Sequence, residues 1–119
     1  MTAINQSLTS LLEVNGAMAA ALVDYSSGML LGSAGAGIDL ELAAAGNTEV
    51  VRAKLRTMDM LGLGDTIEDM LITLKDQYHL IRPLTKTKAV FVYYVLDRSK
   101  ANLAMARLKL KSVEETIEV

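Results

Sequence analysis

Ala89 to Leu96 reads AVFVYYVL, eight consecutive apolar or aromatic residues with no polar interruption. A strand with one face in water alternates; an unbroken run of this length requires cover on both faces. Val90, Val92 and Val95, with Phe91, Tyr93 and Tyr94, are side-chain types that pack well on a pleated surface. Polar and charged residues bracket the run, Thr85-Lys86-Thr87-Lys88 before it and Asp97-Arg98-Ser99 after it. The segment is predicted to be the central strand of a sheet with helices on both sides.

Two strands are predicted immediately upstream. Thr66 to Lys75 alternates in its second half, with Met70, Ile72 and Leu74 on one side and Leu71 and Thr73 on the other. A tight turn at Asp76-Gln77 leads into Tyr78 to Leu84, where Pro83 lacks the N–H of a ladder donor and marks the strand's end. Further back, Ala17 to Asp24 and Met29 to Leu31 form a hairpin around Tyr25-Ser26-Ser27-Gly28. Three helices complete the pattern. Ile4, Leu8, Leu11 and Leu12 recur at helical spacing before Asn15-Gly16. The long second helix starts at the candidate cap Asp39 and runs to about Met60, with Leu40, Ala44, Asn47, Val51, Leu55 and Met58 on one stripe. The last helix is capped by Asp97 or Ser99, its expected inner stripe is Ala101, Ala104, Met105 and Leu108, and the tail from Glu114 to Val119 is expected to fray. The order is α+β: a hairpin and a three-strand meander, covered by helices in three layers over a single domain, residues 1–119.

Composition narrows the function classes. At 119 residues, 51% hydrophobic and 22% charged, the chain has the makings of one globular core. A net charge of −2 gives no electrostatic footprint for nucleic acid. There is no cysteine and one histidine, so neither thiolate nor imidazole clusters for a metal can be assembled. No run approaches the ~20 apolar residues of a membrane span, and MTAINQSLTS lacks the features of a signal peptide. A cytoplasmic protein that does not insert in the membrane is expected.

No catalytic constellation emerges. Gly32 to Gly37 (GSAGAG) has the order G-x-x-G-x-G and no following lysine, so it reads as a flexible connection and not as a phosphate loop. His79 has no nucleophile motif or second histidine to work with and reads as structural. Ser26-Ser27-Gly28 is a turn, not a nucleophile elbow. Glu68 and Asp69, adjacent on a strand, would face opposite ways and could not act as a carboxylate pair. The scattered methionines read as core filler.

Other features point toward protein partners. Ala43-Ala44-Ala45-Gly46 leaves almost no side chain on the long helix, and glycine in a helix interior costs ~1 kcal/mol relative to alanine, which argues for close approach by another backbone. Arg52 and Arg56 lie one turn apart on that helix, either as an ordinary solvated face or as a contact to a partner. Asp59 to Asp76 holds five acids and one lysine, whereas Thr85 to Lys111 holds seven basic residues and one aspartate. Such segregation can steer association.

Taken together, Val14-Asn15-Gly16-Ala17, Leu22-Val23-Asp24, Ser27-Gly28, Ala43 to Asn47, Ile67 to Thr73, His79 to Leu84, Leu96-Asp97-Arg98 and Ala101 to Ala104 resemble the roadblock family, named for a dynein light chain. The similarity spans nearly the whole chain and is greatest to short bacterial members. It implies a five-stranded antiparallel sheet in the order 2-1-5-4-3, with the long helix on one face and two helices on the other. It further implies a homodimer paired through the long helix, at Ala43, Ala44, Gly46, Asn47, Val50 and Val51, and through the strand bearing Thr66, Glu68, Met70 and Ile72. Members of the family are not themselves enzymes and need no cofactor; in bacterial signalling they commonly bind a Ras-like small GTPase, as effectors or as activators of hydrolysis. The outer face of the long helix, with Arg52 and Arg56, is the expected GTPase contact. The alternatives are a scaffold in a larger complex with no GTPase dependence, and a small-molecule sensor of similar topology.

Overall fold

The computed structural model describes residues 2–119. Its centre is the expected one. Strand β5, Val90–Asp97, lies between β1, Ala17–Asp24, and β4, Gln77–Pro83; the hairpin partner β2, Met29–Gly35, and the short β3, Met70–Thr73, form the two edges. All neighbouring pairs are antiparallel, and the order is β2-β1-β5-β4-β3. Helix α2, Leu40–Met60, packs on one face, and α1, Thr2–Leu11, and α3, Leu103–Thr116, on the other.

Strand β5 is buried from Val90 to Leu96 because both faces of the sheet are covered. Val92, Tyr94 and Leu96 join Leu8 and Leu11 of α1 and Leu110 and Val113 of α3. Phe91, Tyr93 and Val95 join Ala44 and Val51 of α2. A buried tyrosine hydroxyl needs a partner, and that of Tyr94 donates to the Leu11 carbonyl at 2.6 Å, tying the end of α1 to the central strand. Helix α2 begins as expected: the Asp39 carboxylate accepts from the Leu42 N–H at 3.1 Å. Ala44, Val51 and Met58 of its expected stripe are buried; Thr48 joins them, its hydroxyl donating to the Ala44 carbonyl at 2.7 Å.

Five expectations are corrected. Strand β2 continues to Gly35, so four of the six residues of GSAGAG are sheet and not a flexible loop. Gly35 has φ +89°, and a Cβ there would collide with the Met18 carbonyl oxygen, which is why the run is small. Strand β3 starts at Met70, and the acidic stretch Thr66 to Asp69 precedes it. Helix α3 is capped by Asn102, whose side chain accepts from the Met105 N–H at 3.1 Å. Asp97 instead closes its own turn by accepting from the Ser99 backbone N–H and hydroxyl. The inner stripe of α3 is Ala106, Leu110 and Val113, whereas Ala104, Met105 and Leu108 face outward.

The fifth correction concerns the tail. Glu114 is buried, paired with Arg82 at 3.2 Å and accepting from the Thr85 hydroxyl at 3.0 Å, and Ile117 sits in the core. The segment is anchored, because its carboxylate answers a cation and its isoleucine fills the layer under α1 and α3.

Candidate functional site

Helix α2 lies across β1 and β2, toward one side of the sheet. On the same sheet face, the β4–β3 half is only partly covered: His79 and Met70 are half-buried, and Ile72 is exposed. The outer side of β3 has no strand partner among the described residues. Helix, half-covered sheet and bare edge thus meet along one surface.

The helix supplies small side chains to this surface. A groove of about 330 Å³ runs between Ala43, Gly46, Asn47 and Val50 of α2 and the rings of His79 and Tyr93. Gly46 is informative because a Cβ built on it meets nothing within 4 Å. No contact inside the chain requires a glycine there, although its presence costs the helix ~1 kcal/mol relative to alanine. Space left open at that cost is room for something outside the chain.

The groove surface is mostly apolar, with a few polar atoms at its floor. The Tyr93 hydroxyl and His79 Nδ1 are 2.9 Å apart, and His79 Nε2 and Gln77 Oε1 are 2.7 Å apart. The two rings meet edge to face, with centroids at 5.5 Å. Burial lowers the His79 pKa below its ordinary value, favouring neutral imidazole. Burial also raises the Tyr93 pKa, opposed by a hydrogen bond with the Asn47 side chain. Each polar atom of the two rings therefore has a partner, the Tyr93 hydroxyl and His79 Nδ1 in one another and His79 Nε2 in Gln77. Among the described residues, no three His, Asp or Glu side chains converge as a metal site would need. None of the described helices is long and apolar enough to cross a membrane.

The expected interface residues divide. Gly46 and Val50 are exposed and Ala43 and Asn47 half-buried, so these four are presented to the groove. Ala44 and Val51 are instead buried in the chain's own core beneath α2. Thr66 and Glu68 are exposed in the segment before β3, while Met70 and Ile72 lie on the edge strand itself. Asp69 is engaged: its carboxylate receives Arg107 Nε at 3.1 Å and Nη2 at 3.2 Å, joining the acidic segment to basic α3.

The two arginines of α2 also differ. Arg52 Nη2 donates to the Ser26 carbonyl at 2.6 Å, and its Nη1 lies 3.4 Å from Glu49. It braces the β1–β2 turn. Arg56 is exposed and makes no ion pair among the described residues. Sequence spacing sets them equal, since Ser26 is twenty-six positions from Arg52 and only the fold brings them together. His79 and Tyr93 are joined in the groove for the same reason, since only the pairing of β4 with β5 brings their rings together; the available signal was a polar ring next to the apolar Leu80-Ile81.

No protein-family model matches the chain, and no curated protein matches it in sequence. Solved structures do match in shape, and the fold they define is that of roadblock/LC7 domains. A Roadblock/LC7 domain from Streptomyces avermitilis superposes with a TM-score of 0.83 at 13% identity, covering 95% of this chain and 92% of that one. MglB of Myxococcus xanthus superposes with a TM-score of 0.85 at 22% identity, covering 96% of this chain and 84% of that one. The gliding protein MglB of Thermus thermophilus gives 0.81 at 19% identity, with 94% and 83% covered. The chain therefore has the roadblock/LC7 fold, including the strand order 2-1-5-4-3.

Proposed function

We propose that this chain is a non-catalytic homodimeric regulator or adaptor, and that its dimer binds a Ras-like small GTPase. The observation that carries the reading is the open groove at Gly46 beside the half-covered sheet and the bare β3 edge. A second copy related by a two-fold axis would set α2 against α2 and β3 against β3, filling the groove and closing the edge. Ala43, Gly46, Asn47, Val50, Met70 and Ile72 carry that contact, with Thr66 and Glu68 at its border. The likeness to MglB, a gliding protein by name, supports a bacterial setting for this role.

The GTPase is assigned to the outer face of α2. Arg56 supplies its main charge contact, because Arg52 is already engaged with Ser26 and Glu49. The test is binding of this chain to small Ras-like GTPases from the same source, loaded with GDP or a non-hydrolysable GTP analogue, with light scattering for stoichiometry. Tighter binding of the GTP form by a dimer, reduced roughly tenfold or more by Arg56→Glu, is expected. Equal or absent binding in both nucleotide states would remove the GTPase from the reading, and a single copy at all concentrations would remove the dimer.

A further inference from the structure

The face of the sheet opposite α2 carries a second apolar surface with a different character. Helix α3 has two apolar stripes. One fills the core, and the other sends Met105, 58% exposed, and Leu108, 65% exposed, into solvent. Scattered exposed apolar residues are ordinary, but these two share one groove with Val14, and that groove measures about 560 Å³. Its end is firmly built. The Asn15 side chain donates to the Lys100 carbonyl at 3.3 Å, and Gly16 packs against the backbone of Ala101, so the turn after α1 and the entry to α3 hold a fixed spacing.

The electrostatics of the groove are one-sided. Lys100 and Lys109 line it; Glu13 answers Lys109 at 3.4 Å, and the charge of Asp97 acts on Lys100 from outside the lining. Lys100 has no ion pair among the described residues. It stands just ahead of α3, whose first turn contains no acidic residue to offset the positive pole of a helix N-terminus. Exposed apolar side chains, a lysine and a helix N-terminus capped by neutral Asn102, with no acidic residue in its first turn, thus share one groove.

We infer that the groove between the end of α1 and the outer stripe of α3 docks an amphipathic helix of a partner protein, one with apolar side chains a turn apart and carboxylates at the end facing Lys100. Met105 and Leu108 are themselves three residues apart on a helix, so they present one patch that a facing helix can meet with its own one-turn pair. Carboxylates on the partner would face Lys100 and the α3 N-terminus, which fixes the direction in which it lies. Glu13, which lines the same groove, would oppose anionic lipid headgroups, whereas a helix can turn its carboxylates toward Lys100 and away from Glu13. This surface is separate from the α2 groove and does not depend on the GTPase reading.

The test uses the full chain and two labelled synthetic peptides, an amphipathic helix with a leucine stripe and glutamate on its polar face, and a matched peptide with lysine in place of glutamate. Fluorescence anisotropy should show binding of the glutamate peptide and not of the lysine peptide, weakening as salt rises. Met105→Ser with Leu108→Ser should weaken it roughly tenfold or more, as should Lys100→Glu alone. These positions are exposed, so the variants should retain the wild-type circular dichroism and melting temperature. Equal binding of both peptides, or no binding of the glutamate peptide, would overturn the proposal. So would a wild-type mass in light scattering that falls in the double variant, which would make a second copy the occupant. Binding of the wild type but not the variants to phosphatidylserine vesicles, with no peptide binding, would assign the face to a membrane instead.

Discussion

The hydroxyl of Tyr93 on the central strand meets Nδ1 of His79 on β4 at 2.9 Å, within the floor of the α2 groove. Burial lowers the His79 pKa below its ordinary 6.5, so the folded state holds this proton less tightly than the unfolded chain does. The sign follows from linkage: between the lowered value and 6.5 the unfolded state binds more protons, and stability rises with pH. Full stability is present above 6.5 and falls as acid protonates the ring. Urea unfolding of the wild type should therefore show a lower midpoint at pH 5 than at pH 7.5, and His79→Gln should lose part of that difference. An unchanged pH dependence in the variant would show that other groups set it.

Glu114 and Arg82 make the buried ion pair of the tail, with side-chain exposures of 3% and 13%. Removing one member leaves the other charge short of a partner in a poorly solvated site. Glu114→Gln is expected to destabilise the fold by about 3 kcal/mol, measured by urea denaturation. Thr85 should loosen with it, since its hydroxyl also binds that carboxylate. Faster amide exchange across Thr85 to Lys88 would report it.

Gly46 separates two effects that usually travel together. Nothing in the chain lies within 4 Å of a Cβ at this position, so Gly46→Ala should stabilise the isolated chain by up to ~1 kcal/mol. Gly46→Leu should remain folded yet keep a second helix from approaching. Light scattering is expected to give the monomer mass for Gly46→Leu and twice that mass for the wild type. A dimeric Gly46→Leu would place the interface elsewhere.

Gly35 is the opposite case. Its φ of +89° and the Met18 carbonyl lying where a Cβ would go forbid a side chain on both backbone and steric grounds. Gly35→Ala should destabilise by more than about 2 kcal/mol in thermal or chemical unfolding. Because β2 is an edge strand, the damage should centre on the β1–β2 pairing, seen as lost amide protection from Gly32 to Ala36.

Features written in adjacent residues were determined by the sequence alone. The unbroken Val90 to Leu96 run required two covered faces and found them, and β1 spans the expected Ala17 to Asp24. Asp39 caps α2 because its carboxylate reaches the Leu42 N–H three residues on. Turns, caps and strand composition act over a few residues, within reach of a linear reading. The tertiary structure decided the rest. α3 carries apolar residues on two stripes, and periodicity cannot say which one faces the sheet; the core took Ala106, Leu110 and Val113 and left Met105 and Leu108 outside. The same holds for Arg52, engaged by a carbonyl twenty-six residues away, and for Glu114, which meets Arg82 across thirty-two. Desolvation and partnership depend on which distant groups the fold brings within about 3 Å, and no local pattern records that distance.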